Sequence, residues 1–163
     1  MIALLAAALL AGPVKISHPL LTAPLAKAKK EKKTVFVAFS ASWCGPCRKL
    51  HSTLEKPENQ KLFSKAFVDA EFIVFETDKK IPNTPGGVDL LTKLGGAEEG
   101  IPFFAAIAPD GTVLADSRRD GPGTNIGCPM TKEEIAHWDT FLSKVPTLKA
   151  DARKTLVAAF KPE

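Results

Sequence analysis

Two cysteines separated by two residues are the part of this sequence best suited to chemistry. They lie in the stretch Trp43-Cys44-Gly45-Pro46-Cys47, which follows the apolar run Thr34–Ser40. Such a pair closes a small disulfide ring and opens it again with little backbone movement, and the thiolate is the form that attacks a disulfide. The apolar run predicts a buried strand, and a helix over 44–55 would begin at the first cysteine. Unpaired N–H groups and the helix dipole there favour a thiolate, so the pattern predicts redox chemistry.

The elements that must position this pair alternate between strands and helices along the chain. Before the cysteines, the sequence predicts a helix over 19–32 and a strand over 34–40. After the cysteine helix it predicts a helical stretch over 59–67, a strand over 71–77, a loop over 79–87, a short helix over 88–94 and a hairpin with strands at 103–108 and 112–116. A glycine-rich loop over 117–130, a helix begun by the capping box Thr131-x-x-Glu134 and a last helix after Pro146 complete the chain. This order predicts an α/β fold, a mixed central sheet with helices on both faces.

The distribution of charge argues against a nucleic-acid partner. The 163 residues carry a net charge of +4. Residues 1–33 hold six lysines and one glutamate, whereas the remaining chain holds 16 basic and 17 acidic residues. The predicted domain is therefore nearly neutral, and its basic character is confined to one segment that is typical of a solvated helix face. We expect no nucleic-acid binding.

The beginning of the sequence resembles a secretory signal. Residues 1–11 are unbroken apolar sequence ended by Gly12-Pro13, too short to span a bilayer. We therefore predict a signal-peptide-like segment over 1–12, cleaved on export to a periplasmic or other extracytoplasmic compartment, with a linker and basic helix over 13–32. Neither lysine nor arginine precedes the apolar run, and an N-terminal helix packed on the domain is the open alternative.

Two motifs carry a family resemblance. Residues 37–47 resemble the active-site strand and loop of thioredoxin, and Gly100-Ile101-Pro102 resembles the cis-proline loop of that family. The two motifs occur in the expected order and on the expected elements. The resemblance implies a three-layer thioredoxin-like fold over 33–145, followed by an appended C-terminal helix over 146–163. The longer cysteine helix, the helical stretch over 59–67 and the apolar leader make this sequence more similar to exported thioredoxin-like proteins than to small cytosolic thioredoxin.

The resemblance also implies a mechanism and a set of partners. Cys44 would be the exposed nucleophile and Cys47 the buried thiol that resolves the mixed disulfide. The residues expected to contact substrate are Trp43, Gly45, Pro46, Ile101 and Pro102. The implied activity is that of a thiol–disulfide oxidoreductase. The Gly-Pro pair between the cysteines implies that it reduces protein disulfides. No cofactor is expected beyond the Cys44–Cys47 disulfide. The implied partners are protein or small-molecule disulfides and a membrane electron donor, and we expect a monomer.

The departures from the family concern proton transfer. The family keeps a buried aspartate where this sequence has Ala38 and a lysine where it has Val74. The proline that kinks the family's active-site helix is replaced by Ser52. His51 lies four residues after Cys47, one helical turn along the same face, and is the candidate replacement base, although a histidine without a role is the favoured alternative. Glu76 is a weaker second candidate.

Cys128 and two further function classes stay open at this point. Cys128 lies in the loop expected near the site, where a third thiol could exchange with Cys44, but a small buried apolar residue is favoured. Cys44, Cys47 and His51 could instead form a soft-ligand set for copper(I). A non-catalytic adaptor would keep the fold and use only its loops. Structural zinc is not expected, because three cysteines leave no second pair.

Overall fold

The computed structural model describes residues 12–162, so residues 1–11 of the predicted leader lie outside the described residues. A short 3-10 turn, Pro19–Leu21, precedes the first helix. The helices are α1 (Thr22–Glu31), α2 (Gly45–Leu54), α3 (Pro57–Ala66), α4 (Gly87–Lys93), α5 (Lys132–Ser143) and α6 (Ala150–Ala158). The strands are β1 (Thr34–Ser40), β2 (Phe67–Ile73), β3 (Phe103–Ile107) and β4 (Val113–Asp116). Among the helices within 12–162, none is long and apolar enough to cross a membrane.

The strands form one mixed sheet in the order β2-β1-β3-β4. Strand β1 is parallel to β2 and antiparallel to β3, and β3 is antiparallel to β4. Helices cover both faces, which confirms the predicted α/β fold with a mixed sheet. The central position of β1 accounts for its unbroken apolar sequence, because a strand covered on both faces has no polar side.

Alternate side chains of β1 enter two separate cores. Val35, Val37 and Phe39 pack in the first core, which includes residues of α1 and α4. Phe36 packs in the second core, which α3, α5 and α6 cover. The C-terminal helix contributes Leu156 to this second core. The indole Nε1 of Trp138 also donates a 3.2 Å hydrogen bond to the carbonyl of Leu156. The predicted extra C-terminal helix is therefore packed as part of the fold.

The second strand lies earlier in the sequence than predicted. We expected a strand over 71–77, but α3 ends at Ala66 and β2 occupies Phe67–Ile73. The alternation of buried and exposed residues in β2 places Val68, Ala70 and Phe72 in the first core. The chain leaves the sheet after Val74, and Phe75 adopts a left-handed conformation with φ 55°. The prediction was wrong because it gave more weight to the apolar run at 72–75 than to this alternation.

Candidate active site

The two cysteines form a disulfide at the beginning of α2. The Sγ atoms of Cys44 and Cys47 are 2.02 Å apart, and their Cα atoms are 5.3 Å apart. Cys44 is the N-cap of the helix, and its Sγ accepts a 3.2 Å hydrogen bond from the backbone N–H of Cys47. Pro46 fits the first turn because the N–H that it lacks would have no helical partner there. After reduction, the same N–H would face the Cys44 thiolate and stabilise its charge.

Both cysteines are buried in the disulfide form. The exposed fraction is 3% for Cys44 and 4% for Cys47, and Ala41 and Ile101 pack against them. The expectation of an exposed Cys44 is therefore wrong for this state. Ile101 covers the sulfurs from a position 57 residues away in sequence, which a local pattern does not reveal.

The loop Gly100-Ile101-Pro102 lies against the disulfide. Its Ile101–Pro102 peptide bond is cis. The carbonyl oxygen of Ile101 lies 3.6 Å from the Sγ of Cys44. The structure thus brings the two sequence motifs together at one site.

Asn125 fixes this loop from the opposite side. Its Nδ2 lies 3.1, 3.3 and 3.1 Å from the carbonyl oxygens of Glu99, Gly100 and Pro102, so its two N–H groups are shared among three acceptors. The Glu99 carboxylate in return accepts from the backbone N–H groups of Gly123 and Asn125 at 2.7 and 3.2 Å. We call this set of contacts between residues 99–102 and 123–125 the loop clamp. The sequence does not reveal these contacts, since the glycine-rich composition of 117–130 indicates only a loop.

Cys128 lies near the clamp but inside the protein. It is 2% exposed and packs in the second core, the environment expected of a small buried apolar residue. The neighbouring Gly127 approaches the ring of Pro102, where an added Cβ would lie 3.6 Å from Cδ. The loop over 117–130 therefore packs beside the site, as the resemblance implied.

Trp43 and Phe75 form an exposed apolar rim beside the disulfide. Their exposed fractions are 53% and 40%, high values for large apolar residues. The indole Nε1 of Trp43 donates a 2.8 Å hydrogen bond to the backbone carbonyl of Phe75. This bond connects the active-site loop to the segment that follows β2.

Glu76 holds the same two segments together through backbone contacts. Its carboxylate accepts hydrogen bonds from the N–H groups of Ser42, Thr77 and Asp78 at 2.7, 2.9 and 3.1 Å. These donors, that of Ser42 above all, lower the pKa of Glu76 to about 2. The carboxylate stays ionised and is a poor proton acceptor, so the suggestion of Glu76 as a replacement base is wrong.

A cavity lies behind Cys47, between α2 and the sheet. Its volume is about 320 Å³, and Cys47, Ala38, His51 and Pro102 all line it. The side chain of His51 is 44% exposed, and its Nε2 lies 3.0 Å from an oxygen of Glu55. We call this space the rear cavity.

Glu71 is the acidic neighbour of Ala38 in the rear cavity. The two residues are partners in the parallel pairing of β1 and β2. An oxygen of Glu71 lies 3.8 Å from Nδ1 of His51. Val74, which stands where the family keeps its lysine, is fully buried in the first core on the other face of the sheet. A strand predicted to begin at Glu71 gave no indication of the register that pairs this residue with Ala38.

Asp69 adds a second carboxyl group to the rear cavity. It precedes Glu71 by two residues on the same strand, and alternation therefore places both on the same face. Desolvation raises the pKa of the Asp69 carboxyl, and the negative charge of Glu71 raises it further. Strand β2 thus contributes two carboxyl groups to the cavity that also contains the His51 imidazole and the buried cysteine.

The geometry does not favour the copper alternative. Within residues 12–162, no three histidine, cysteine or acidic side chains are grouped in a way that could hold a metal ion. Both ring nitrogens of His51 face carboxylates, Glu55 and Glu71, rather than the two sulfurs. The proposed ligand set is therefore not assembled in this arrangement.

Comparison with known proteins identifies the family. A family described as thioredoxin-like matches residues 19–109, more than half of the chain. The chain therefore belongs to the thioredoxin-like family, which confirms the resemblance seen in the two motifs.

Individual relatives cover the chain to different extents. A thioredoxin H-type protein of Chlamydomonas reinhardtii is 41% identical over 58 residues, which are 33% of this chain and 51% of that protein. The chain thus spans about half the length of this relative. The disulphide isomerase of Xylella fastidiosa Temecula1 is 27% identical with a TM-score of 0.50, over 59% of this chain and 69% of that one. A DsbH oxidoreductase, 19% identical, superposes with a TM-score of 0.55 over 82% of this chain and 86% of that one, which shows a common fold.

Proposed function

We propose that the protein is a thiol–disulfide oxidoreductase that exchanges disulfides through Cys44 and Cys47. The observation that carries this proposal is the Cys44–Cys47 disulfide at the N-terminus of α2, with the Cys47 N–H directed at the Sγ of Cys44. Membership of the thioredoxin-like family supports it, as do the names of the thioredoxin H-type relative and the Xylella disulphide isomerase.

The proposed reaction transfers two electrons from the protein to a substrate disulfide. The Cys44 thiolate attacks one substrate sulfur, which forms a mixed disulfide and releases the other substrate sulfur as a thiolate that takes up a proton. Cys47 then loses its proton and attacks the Sγ of Cys44. The Cys44–Cys47 bond forms, the bond to substrate breaks, and the second substrate thiol leaves. The protein is oxidised to its disulfide and the substrate is reduced to two thiols.

Protein disulfides in extended segments are the proposed substrates. The exposed rings of Trp43 and Phe75 offer apolar contact beside the sulfurs, and the Ile101 carbonyl lies next to Cys44. Because Ile101 packs against the two cysteines, a substrate segment that contacts this loop would be held close to the disulfide. The direction, reduction of substrate, rests on the Gly45-Pro46 pair between the cysteines and on the isoleucine before the cis-proline, as in the family.

Export of the protein is a further part of the proposal. It rests on the apolar sequence of residues 1–11, which lie outside the described residues. An exported reductase needs electrons from across a membrane, so a membrane electron donor would restore the dithiol form. We propose that the protein acts as a monomer.

Turnover of a protein disulfide tests the proposed function. Wild-type protein should accelerate the reduction of insulin by dithiothreitol, and Cys44→Ser should remove the acceleration. Cys128→Ser is the matched control, since it changes the buried third cysteine and should leave turnover intact. A wild-type protein without any acceleration would refute the oxidoreductase and favour the adaptor.

A further inference from the structure

Cys47 needs a proton acceptor that the structure does not place directly on β1. In the proposed function, on which this inference rests, the Cys47 thiol becomes a thiolate before it attacks the mixed disulfide. Cys47 is 4% exposed, so bulk water has little access to its sulfur. The β1 residue that lines the rear cavity beside it is Ala38, which can accept no proton.

Glu71 brings an acid into the same cavity from the neighbouring strand. Its backbone is the register partner of Ala38, and parallel pairing places the two side chains on the same face. Both Glu71 and Cys47 line the rear cavity. The Glu71 side chain is 33% exposed, so a proton that it accepts can pass on to solvent.

His51 limits where the Glu71 carboxylate can point. It lies one turn beyond Cys47 on α2, which puts the two side chains on neighbouring positions of one helix face. Nδ1 of His51 is 3.8 Å from Oε2 of Glu71, while Nε2 contacts Glu55 at 3.0 Å. The imidazole therefore lies between the more exposed carboxylate of Glu55 and the less exposed carboxylate of Glu71.

We propose that Glu71 is the proton acceptor for Cys47 and that His51 is the positioning residue that holds its carboxylate. In this step the Cys47 S–H bond breaks and the proton passes to the Glu71 carboxylate, directly or through water in the cavity. The Cys47 thiolate then attacks Cys44, and the departing substrate thiolate is protonated from solvent. Glu71 releases its proton to solvent through its exposed edge, so that no net charge accumulates over the cycle.

Other charged groups share the cavity and will influence this titration. Asp69 lies on the same face of β2, and its raised pKa reflects the desolvation of this region. The remaining charged residues that line the cavity are Glu55 at the C-terminal cap of α2, Lys27 and Glu31 on α1, and Lys33 just before β1. Lys33 and Glu31 neutralise each other in a 2.6 Å ion pair, so Asp69 and Glu55 are the main additional negative charges.

The reaction of the reduced protein with the chromogenic aryl disulfide DTNB separates the two thiol steps. Attack by Cys44 releases one equivalent of the coloured thiolate, and resolution by Cys47 releases a second in a later phase. We would record both phases between about pH 4 and pH 9, which brackets the ordinary carboxyl and thiol pKa values. The variants are Glu71→Gln, Glu71→Asp and His51→Asn, and the matched control is Glu58→Gln, the same change at an exposed position in the first turn of α3.

The proposal predicts that Glu71→Gln slows the second phase by about 10- to 100-fold at neutral pH and leaves the first phase unchanged. Glu71→Asp should recover part of this loss because it restores a carboxylate. His51→Asn should slow the second phase less than Glu71→Gln and shift its pH midpoint, while Glu58→Gln should match the wild type.

Two results would overturn the assignment: a second phase unaffected by Glu71→Gln, or one slowed as much by the control Glu58→Gln as by Glu71→Gln. A first phase at the wild-type rate, with the buried Cys128 still unreactive, shows that each variant is folded. A wild-type protein that releases no second equivalent would refute the proposed oxidoreductase itself, which separates that failure from the failure of this inference.

Discussion

The front and the rear of the disulfide are built differently. At the front, the loop clamp holds the Ile101-Pro102 loop with hydrogen bonds of 2.7 to 3.3 Å. At the rear, His51, Glu55 and Glu71 are partly exposed and contact one another at 3.0 and 3.8 Å. The front is fixed by hydrogen bonds that join the side chains of Asn125 and Glu99 to backbone groups, whereas the rear is a set of side chains that can gain or lose protons and contact mainly one another.

This difference assigns separate tasks to the two sides. The Asn125 amide and the backbone carbonyls that it contacts do not titrate, so these contacts persist over a wide pH range and suit the positioning of substrate. Carboxylates and imidazoles change charge between acid and neutral pH, so the rear suits proton transfer. Variants at the front should therefore alter substrate use and stability, and variants at the rear should alter pH dependence. The following predictions test that division.

The largest effect is expected at the disulfide itself, where front and rear meet. Cys47→Ser removes the resolving thiol, so turnover of a protein disulfide should be lost and Cys44 should stay joined to substrate. Purification of this variant after exposure to oxidised insulin, followed by non-reducing mass analysis, should reveal a mixed disulfide at Cys44. A double variant, Cys44→Ser/Cys47→Ser, should capture nothing; equal capture by both would place the reactive thiol elsewhere.

A break in the loop clamp should have the next largest effect. Asn125→Ala removes three donor contacts to the 99–102 loop and should lower the free energy of unfolding by about 1 to 2 kcal/mol. Because the loop would lose its fixed position, insulin reduction should slow more than reaction with DTNB. Urea unfolding and the two assays measure these effects.

Asn125→Asp is the matched control for the clamp. Its oxygen can still accept from the N–H of Gly127, but it lacks the amide donors. It should therefore resemble Asn125→Ala. Wild-type stability in both variants would contradict a structural role for the clamp.

Two substitutions of Trp43 distinguish the effect of apolar contact at the rim from the effect of its hydrogen bond. Trp43→Ala removes both, and we expect an increase of about five-fold in the KM for insulin, the effect of a contact worth roughly 1 kcal/mol. Trp43→Phe keeps an exposed ring and loses only the bond to the Phe75 carbonyl, so its KM should stay near the wild-type value. An equal loss in both variants would mean that the hydrogen bond, rather than apolar contact, is what matters.

Substitution of Glu76 should have the smallest effect, and this effect should be confined to the thermal stability of the protein. Its pKa is lowered from 4.5 to about 2, so the folded protein favours the ionised carboxylate. The stabilisation is therefore complete above about pH 4.5 and is lost as the pH falls towards 2. Thermal unfolding of Glu76→Gln should show a Tm slightly below wild type at neutral pH, and the two values should converge in acid. A difference that grows in acid would contradict the assignment.

The sequence was informative wherever local patterns determine the structure. The apolar run of β1 was predicted at its observed bounds, Thr34–Ser40, because a strand that is covered on both faces has an almost unbroken apolar sequence. The capping box of α5 was also predicted, and both of its hydrogen bonds are present between Thr131 and Glu134. The cysteine pair at the start of a helix followed from the same local logic.

Contacts between distant segments were beyond local patterns. The three donor contacts of Asn125 span 23 to 26 residues, and the approach of Ile101 to Cys44 spans 57. The partner of Ala38 depended on the register of β2, which the sequence analysis misplaced. The sequence therefore did not indicate Glu71, although Ala38 in place of the family's aspartate indicated that another residue must accept the proton.

The reversible redox chemistry of Cys44 and Cys47 is the claim on which the whole account depends. Equilibration of the wild-type protein in glutathione buffers of varied ratio, followed by alkylation and mass analysis, measures it directly. We predict a single two-electron transition between disulfide and dithiol that is confined to Cys44 and Cys47, while Cys128 does not change. A pair that remains entirely in one state at every ratio at which other protein disulfides interconvert, or a transition that involves Cys128 instead, would contradict the account.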